Sequence, residues 1–146
     1  MKPGKDFIGV GAFVLIFNEK NQILLIYQKP SPKKSEKFAN KWSIPGGTVE
    51  FGEICTDALR REIKEELNLK ILDIKFLSCY DSIESDRHWI GINYTASTKE
   101  MPENLEPHKI KEIRFFDPSE IPDNISEDTR KCLGMLGLNK REPPFI

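Results

Sequence analysis

Glu53, Glu62, Glu65 and Glu66 stand at intervals that can turn several carboxylates toward one point. They lie in the 23-residue stretch GTVEFGEICTDALRREIKEELNL, residues 47–69. Gly47 is followed by five residues and Glu53, then by seven residues and the pair Arg61-Glu62. Ile63, one spacer, Glu65-Glu66, two more residues and Leu69 complete it. At roughly 6% usage per residue type, the fixed polar and glycine positions coincide by chance on the order of once in 10^7 starting points. Residues three and four apart on a helix are neighbours, so Glu62, Glu65 and Glu66 repel one another. Partly desolvated, such a cluster binds protons or recruits a cation. Hard oxygen donors suit Mg²⁺ or Mn²⁺, which keep waters that substrate phosphates can replace.

The alternative is a solvated acidic helix laced by i,i+4 pairs such as Asp57 with Arg61 and Arg61 with Glu65. The helical pattern argues against it. Residues 54–67 contain no Pro or Gly, are rich in Ala, Leu, Arg, Lys and Glu, and follow a Gly-containing loop. With Glu62 at zero and steps of about 100°, Cys55, Leu59, Ile63 and Leu67 fall at roughly 20° to 140°, a buried stripe. Arg60, Lys64, Asp57 and Arg61 fall at about 160° to 260°, the solvent face. Glu62, Glu65 and Glu66 fall at about 0°, 300° and 40°, on and beside the edge of the stripe.

Upstream, Trp42-Ser43-Ile44-Pro45-Gly46-Gly47 combines a strand-ending proline with two glycines that let backbone approach a ligand closely. Together the two segments resemble the signature of the Nudix hydrolases, WxxPGG followed by Gx5Ex7REUxEExGU, where U is a bulky aliphatic. One letter departs, Asn68 for the final glycine. Asn is the next most tolerant type of a left-handed helix terminus, so the departure is mild.

The resemblance implies a metal held by Glu62, Glu65 and Glu66 with a backbone carbonyl of Gly46 or Gly47. It implies that Arg61 pairs with Glu53 and fixes the loop on the helix. It also implies a further carboxylate from the loop before the last strand, with Glu103, Glu106 and Glu112 as candidates. Glu106 is preferred because Asn104-Leu105-Glu106-Pro107-His108 resembles the "EP" loop of some nucleotide-cleaving members. The catalytic set is then Glu53, Arg61, Glu65 and Glu106. Phe38, Trp42 and Trp89 are candidates for stacking on a base, against the plainer reading of each as core or strand-edge packing.

The implied activity is Mg²⁺-dependent hydrolysis, with Mn²⁺ as substitute, of a pyrophosphate bond in a nucleoside diphosphate linked to another moiety. The pattern most resembles the small MutT-like members that convert a nucleoside triphosphate, ordinary or modified, to monophosphate and pyrophosphate. ADP-ribose or a nucleotide sugar is the alternative substrate. Members of the ADP-ribose group tend to carry a proline shortly beyond the box, and here no proline lies between Pro45 and Pro102. A nucleotide-sensing module of the same fold is the alternative from another class. Such regulators often lose box glutamates and add a DNA-binding domain, whereas all four glutamates stand here and no residues remain for one.

Positioning these groups requires a scaffold. A length of 146 residues is expected to form a single domain, residues 1–146, that buries about two-thirds of its unfolded surface. With 22 basic and 23 acidic residues there is no global signature of a nucleic-acid partner. No 18-residue apolar run and no signal-peptide pattern occurs, which predicts a soluble cytoplasmic chain, a monomer or homodimer without membrane partner. Cys55, Cys79 and Cys132 make neither a disulfide framework nor a zinc pattern and are expected to be reduced, mostly packed thiols.

Residues 7–17 read as a central strand, and Asn18-Glu19-Lys20-Asn21 turns into a second strand at 23–28. Residues 29–41 carry Pro30, Pro32 and five lysines against Glu36. They read as a solvated loop or as a basic lip attracting polyphosphate. After the box helix come strands at 71–82 and 87–98 around Glu84-Ser85-Asp86, then a strand at 111–116. A last helix, 127–137, is capped by Ser126. Strands, helix, strands and helix predict an α/β/α sandwich with a mixed β-sheet between helices, the order of the Nudix fold.

Overall fold

The computed structural model describes residues 1–32 and 35–138. Its centre is β1 (Gly9–Phe17), whose sequence GVGAFVLIF is apolar at successive positions rather than alternate ones. Such a run suits a strand covered on both faces. Accordingly Ala12, Val14 and Ile16 belong to one core cluster and Leu15 to the other. The strand starts two residues later than expected. Phe7 and Ile8 are half exposed, and Phe7 bridges back to Pro3 outside the sheet.

β2 (Ile23–Gln28) pairs antiparallel with β1 only at Phe17↔Ile23, next to the turn, and the two strands then part. The gap is spanned by one short segment. Its first part, β3 (Trp42–Ser43), pairs with β2, and its second, β4 (Gly46–Thr48), pairs with β1. β5 (Leu72–Glu84) and β6 (Arg87–Ser97) form a long hairpin. β6 runs parallel to β1 in unbroken register from Gly9↔Trp89 to Phe17↔Ser97. β7 (Ile110–Phe116) lies antiparallel along the other side of β2. One parallel pair among antiparallel ones makes the sheet mixed.

α1 (Cys55–Leu67) covers one face, seating Leu59, Ile63 and Leu67 against Ala12, Val14, Ile16, Leu24 and Ile26. α2 (Glu127–Met135) covers the other, seating Cys132 and Leu133 against Leu15, Ile23, Leu25 and Ile44. Ser126 Oγ caps α2 by accepting from Thr129 N–H. The α/β/α sandwich expected from the order of elements is therefore the fold. Two further boundaries moved by two residues. β5 continues through Glu84, which pairs with Arg87, and α2 ends at Met135 rather than 137. The thiols also divide more widely than expected. Cys132 is buried and Cys55 partly so, but Cys79, on the edge strand β5, is exposed.

Candidate active site

The glutamates of α1 follow the order set by their angles around the helix. Glu66, nearest the buried stripe, is 6% exposed, whereas the side chains of Glu62 and Glu65 are 18% and 53% exposed. Burial pushes the Glu62 carboxyl above the ordinary range, and the adjacent Arg61 guanidinium opposes that shift. Repulsion from Glu65 and Glu106 adds to it. A buried, like-charged set of this kind favours a cation or a proton.

Gly47 has a steric role. A Cβ there would sit 2.3 Å from Glu62 Cδ and 2.5 and 2.7 Å from its carboxylate oxygens. The glycine makes room for the carboxylate to lie on the β4 backbone. The β1–β4 ladder also separates the two glycine carbonyls. Val14 N–H donates to Pro45 O (3.0 Å) and Val49 N–H to Val10 O (2.8 Å), so 14/45 and 10/49 are hydrogen-bonded pairs. Alternation makes Ala12↔Gly47 the hydrogen-bonded pair between them. The carbonyls of Gly46 and Thr48 then point away from β1. Thr48 O accepts Arg61 Nη2 at 3.0 Å, which marks that edge as the α1 side. Of the two expected carbonyls, Gly46 O is the one on the same edge as Thr48 O.

Arg61 ties the loop to the helix. Its Nε and Nη2 donate to Glu53 Oε2 and Oε1 at 2.7 and 3.0 Å, a two-pronged pair, while Nη1 reaches Glu62 at 3.1 Å and Glu65 at 3.3 Å. The guanidinium holds the Glu53 carboxyl below the usual range. Glu53 Oε1 also accepts Glu50 N–H, closing the turn before α1. The expected Glu53–Arg61 clasp is thus in place, and it aligns Glu62 and Glu65 as well.

At the other end of α1, Asn68 adopts φ 48°, ψ 45°, the left-handed terminus its position called for. The last helical carbonyls then anchor the loop before β7. Leu67 O accepts from Glu103 N–H and Glu66 O from Leu105 N–H. That hold sets Glu106 within electrostatic reach of Glu62. Glu106 pairs with Lys109 at 3.0 Å. Glu103 instead is exposed and accepts from Asn68 Nδ2, and Glu112 pairs with Arg114 along β7.

Between the parted strands runs a cavity of about 310 Å³, reaching from Glu66, Gly46 and Gly47 to the far ends of β5 and β6. Phe38 and Trp89 line it. Trp42 does not. Its ring is 7% exposed and packs edge-on against Tyr27 and Phe116, so the expectation that it meets substrate gives way to a core role. The basic lip is also corrected in part: Lys37 turns to Ser82 and Asp128, and Ser35 to Glu84, latching that segment onto β5 and α2. Lys33 and Lys34 lie outside the described residues.

Asn93, Gly91 and Phe13, also at the cavity, were missed. Asn93 is buried and donates to Ser78 Oγ at 3.2 Å. A signal existed: Trp89, Gly91 and Asn93 alternate on β6 and so share one face.

Among the described residues no three His, Cys, Asp or Glu ends close into a cage. What stands here is an open set of hard oxygens: Glu62, Glu66, Gly46 O and Glu106. That donor chemistry fits a cation such as Mg²⁺ that shares its shell with water and phosphate.

The NUDIX domain profile matches residues 8–134. Sheet, flanking helices and glutamate-lined helix define a Nudix hydrolase. The chain belongs to that family. It is 29% identical over 114 residues to nucleoside triphosphatase NudI of Escherichia fergusonii, covering 69% of this chain and 79% of that one. It is 33% identical over 108 residues to the ADP-ribose pyrophosphatase of Methanocaldococcus jannaschii, covering 73% and 61%. The crystal structure of a MutT NUDIX hydrolase from Burkholderia pseudomallei superposes with TM-score 0.77 at 29% identity, over 88% of this chain and 97% of that one.

Proposed function

We propose that this hydrolase cleaves a nucleoside triphosphate, ordinary or base-modified, into monophosphate and pyrophosphate. The observation that carries the reading is the partly buried Glu62 carboxylate resting on Gly47, one helical turn from buried Glu66 and within electrostatic reach of Glu106. We assign Mg²⁺, with Mn²⁺ as substitute, to Glu62, Glu66 and the Gly46 carbonyl, with Glu65 assisting. A divalent ion there supplies neutralisation of the phosphates and a lowered pKa for water. Arg61 and Glu53 act by holding the loop and aligning the glutamates. Glu106 orients the attacking water or completes the oxygen set. Phe38 and Trp89 offer aromatic surface to a base, in a cavity whose volume of about 310 Å³ suits a nucleoside.

Similarity to a nucleoside triphosphatase over most of both chains supports this substrate class. Similarity to an ADP-ribose pyrophosphatase supports a second reading, ADP-ribose or a nucleotide sugar. We further propose a cytoplasmic protein, monomeric or dimeric, without a polymeric nucleic-acid partner. None of the described helices is long and apolar enough to cross a membrane. A hydrolysis screen over dNTPs, oxidised dNTPs, ADP-ribose and nucleotide sugars, with Mg²⁺ and with Mn²⁺, tests the assignment. Turnover confined to ADP-ribose would replace the first reading by the second.

A further inference from the structure

Glu106 is held by a cation of the protein's own. Lys109 Nζ lies 3.0 Å from Glu106 Oε2, with the lysine side chain 48% exposed and the glutamate 19%. The lysine is the more exposed partner of the pair. Glu62 and Glu66 lie within electrostatic reach of it.

The backbone of this turn is pinned. Glu106 O accepts from both Lys109 N–H and Ile110 N–H at 2.9 Å, and Lys109 O accepts from Lys29 N–H at 2.8 Å. Lys29 Nζ adds a bond to Pro107 O at 2.8 Å. The lysine side chain can therefore move while its Cα stays.

The other cation against the glutamates has no such freedom. Arg61 is fixed by two bonds to Glu53 and one to Thr48 O. A half-exposed lysine–carboxylate pair contributes little net free energy, because it is screened and costs side-chain entropy. A divalent ion, with twice the charge, displaces it readily. A lysine also suits such a transfer, being a compact charge on a flexible stem.

We propose that Lys109 is a resident counter-cation of the site, which holds Glu106 until a divalent ion arrives and then turns to the substrate's phosphates. It is a positioning residue that competes with metal for one carboxylate. The inference rests on the metal assignment made above.

The test is Mn²⁺ binding to the purified full-length protein without nucleotide, read from free Mn²⁺ by electron paramagnetic resonance. Lys109→Met is expected to bind Mn²⁺ about two- to fivefold more tightly than the unaltered protein, the range a partly exposed ion pair allows. Lys109→Arg should bind as the unaltered protein does. On a Glu106→Gln background, Lys109→Met should change the affinity by less than about twofold, since the contested charge is gone. With the cleaved triphosphate, Lys109→Met should raise KM roughly tenfold and leave kcat within about threefold.

If the unaltered protein binds Mn²⁺ and Lys109→Met binds it equally or less tightly, the counter-cation role is overturned and the metal assignment stands. If the unaltered protein binds no Mn²⁺, the metal assignment fails and this inference with it. Circular dichroism guards against misfolding, and Lys109→Gln repeats the charge removal with a polar side chain.

Discussion

Replacing Gly47 by alanine is a sharp probe of the site, because the space its side chain would need is taken by the Glu62 carboxylate. The added Cβ would meet Glu62 Cδ at 2.3 Å, whereas ordinary contact begins at 3.4 Å. The carboxylate must therefore retreat by about 3.4 − 2.3, roughly 1 Å. A misplacement of about 1 Å at a reacting centre costs on the order of 100-fold, equivalent to about 2.7 kcal/mol. Stability should suffer much less. The colliding group is the end of a flexible side chain, and overpacking of about 1–3 kcal/mol is partly offset by the 0.4–1 kcal/mol or so that Gly→Ala gains in the unfolded chain. The melting temperature should fall by no more than about 10 °C. Gly52→Ala is the control, since Gly52 has φ +83° but open space around it. It should cost about 1 kcal/mol in stability and leave turnover intact. Steady-state kinetics and Mn²⁺ titration on each folded variant give the answer. A Gly47→Ala protein with kcat/KM within threefold of normal and unchanged metal affinity would refute the reasoning, since the position of Glu62 would then not matter.

Three other outcomes follow from particular residues. Glu106→Gln should lower kcat roughly tenfold, about 1.4 kcal/mol, while Glu112→Gln is nearly silent, as steady-state kinetics will read; the reverse result makes Glu112 the working carboxylate. Asn68→Val should be less stable than Asn68→Gly by roughly 1 kcal/mol or more in urea unfolding, because φ 48° penalises a β-branched residue. Burial pushes the Cys132 thiol up to about 11. In the folded protein at pH 8 iodoacetamide should modify exposed Cys79 well before Cys132, measured by mass spectrometry, and equal rates would contradict the burial.

Much of this architecture was legible in the chain because local spacing carries it. The angles of Glu62, Glu65 and Glu66 around α1 gave their order of exposure, since a helix with no breaker keeps its 3.6-residue period. Asn68 was legible from its place at the helix end. Other features depend on partners distant in sequence. Nothing local to Trp42 says that Tyr27 and Phe116 close over its ring. The parting of β1 from β2, which opens the cavity, results from both strands finding new partners in residues 42–48. The Glu106–Lys109 pair reaches the glutamates only because two carbonyls at the end of α1 hold the loop. Those contacts are tertiary, and periodicity is silent about them.

In the proposed function the carboxylates of α1, through a divalent ion, direct hydrolysis within a nucleoside triphosphate. Its most direct test is ³¹P NMR of dGTP and 8-oxo-dGTP with Mg²⁺ and either the unaltered protein or Glu66→Gln. The expected spectrum shows monophosphate and pyrophosphate growing together, with the folded Glu66→Gln protein slower by roughly a hundredfold, about 3 kcal/mol. Orthophosphate with nucleoside diphosphate, or equal Mg²⁺-dependent rates for the two proteins, would contradict it.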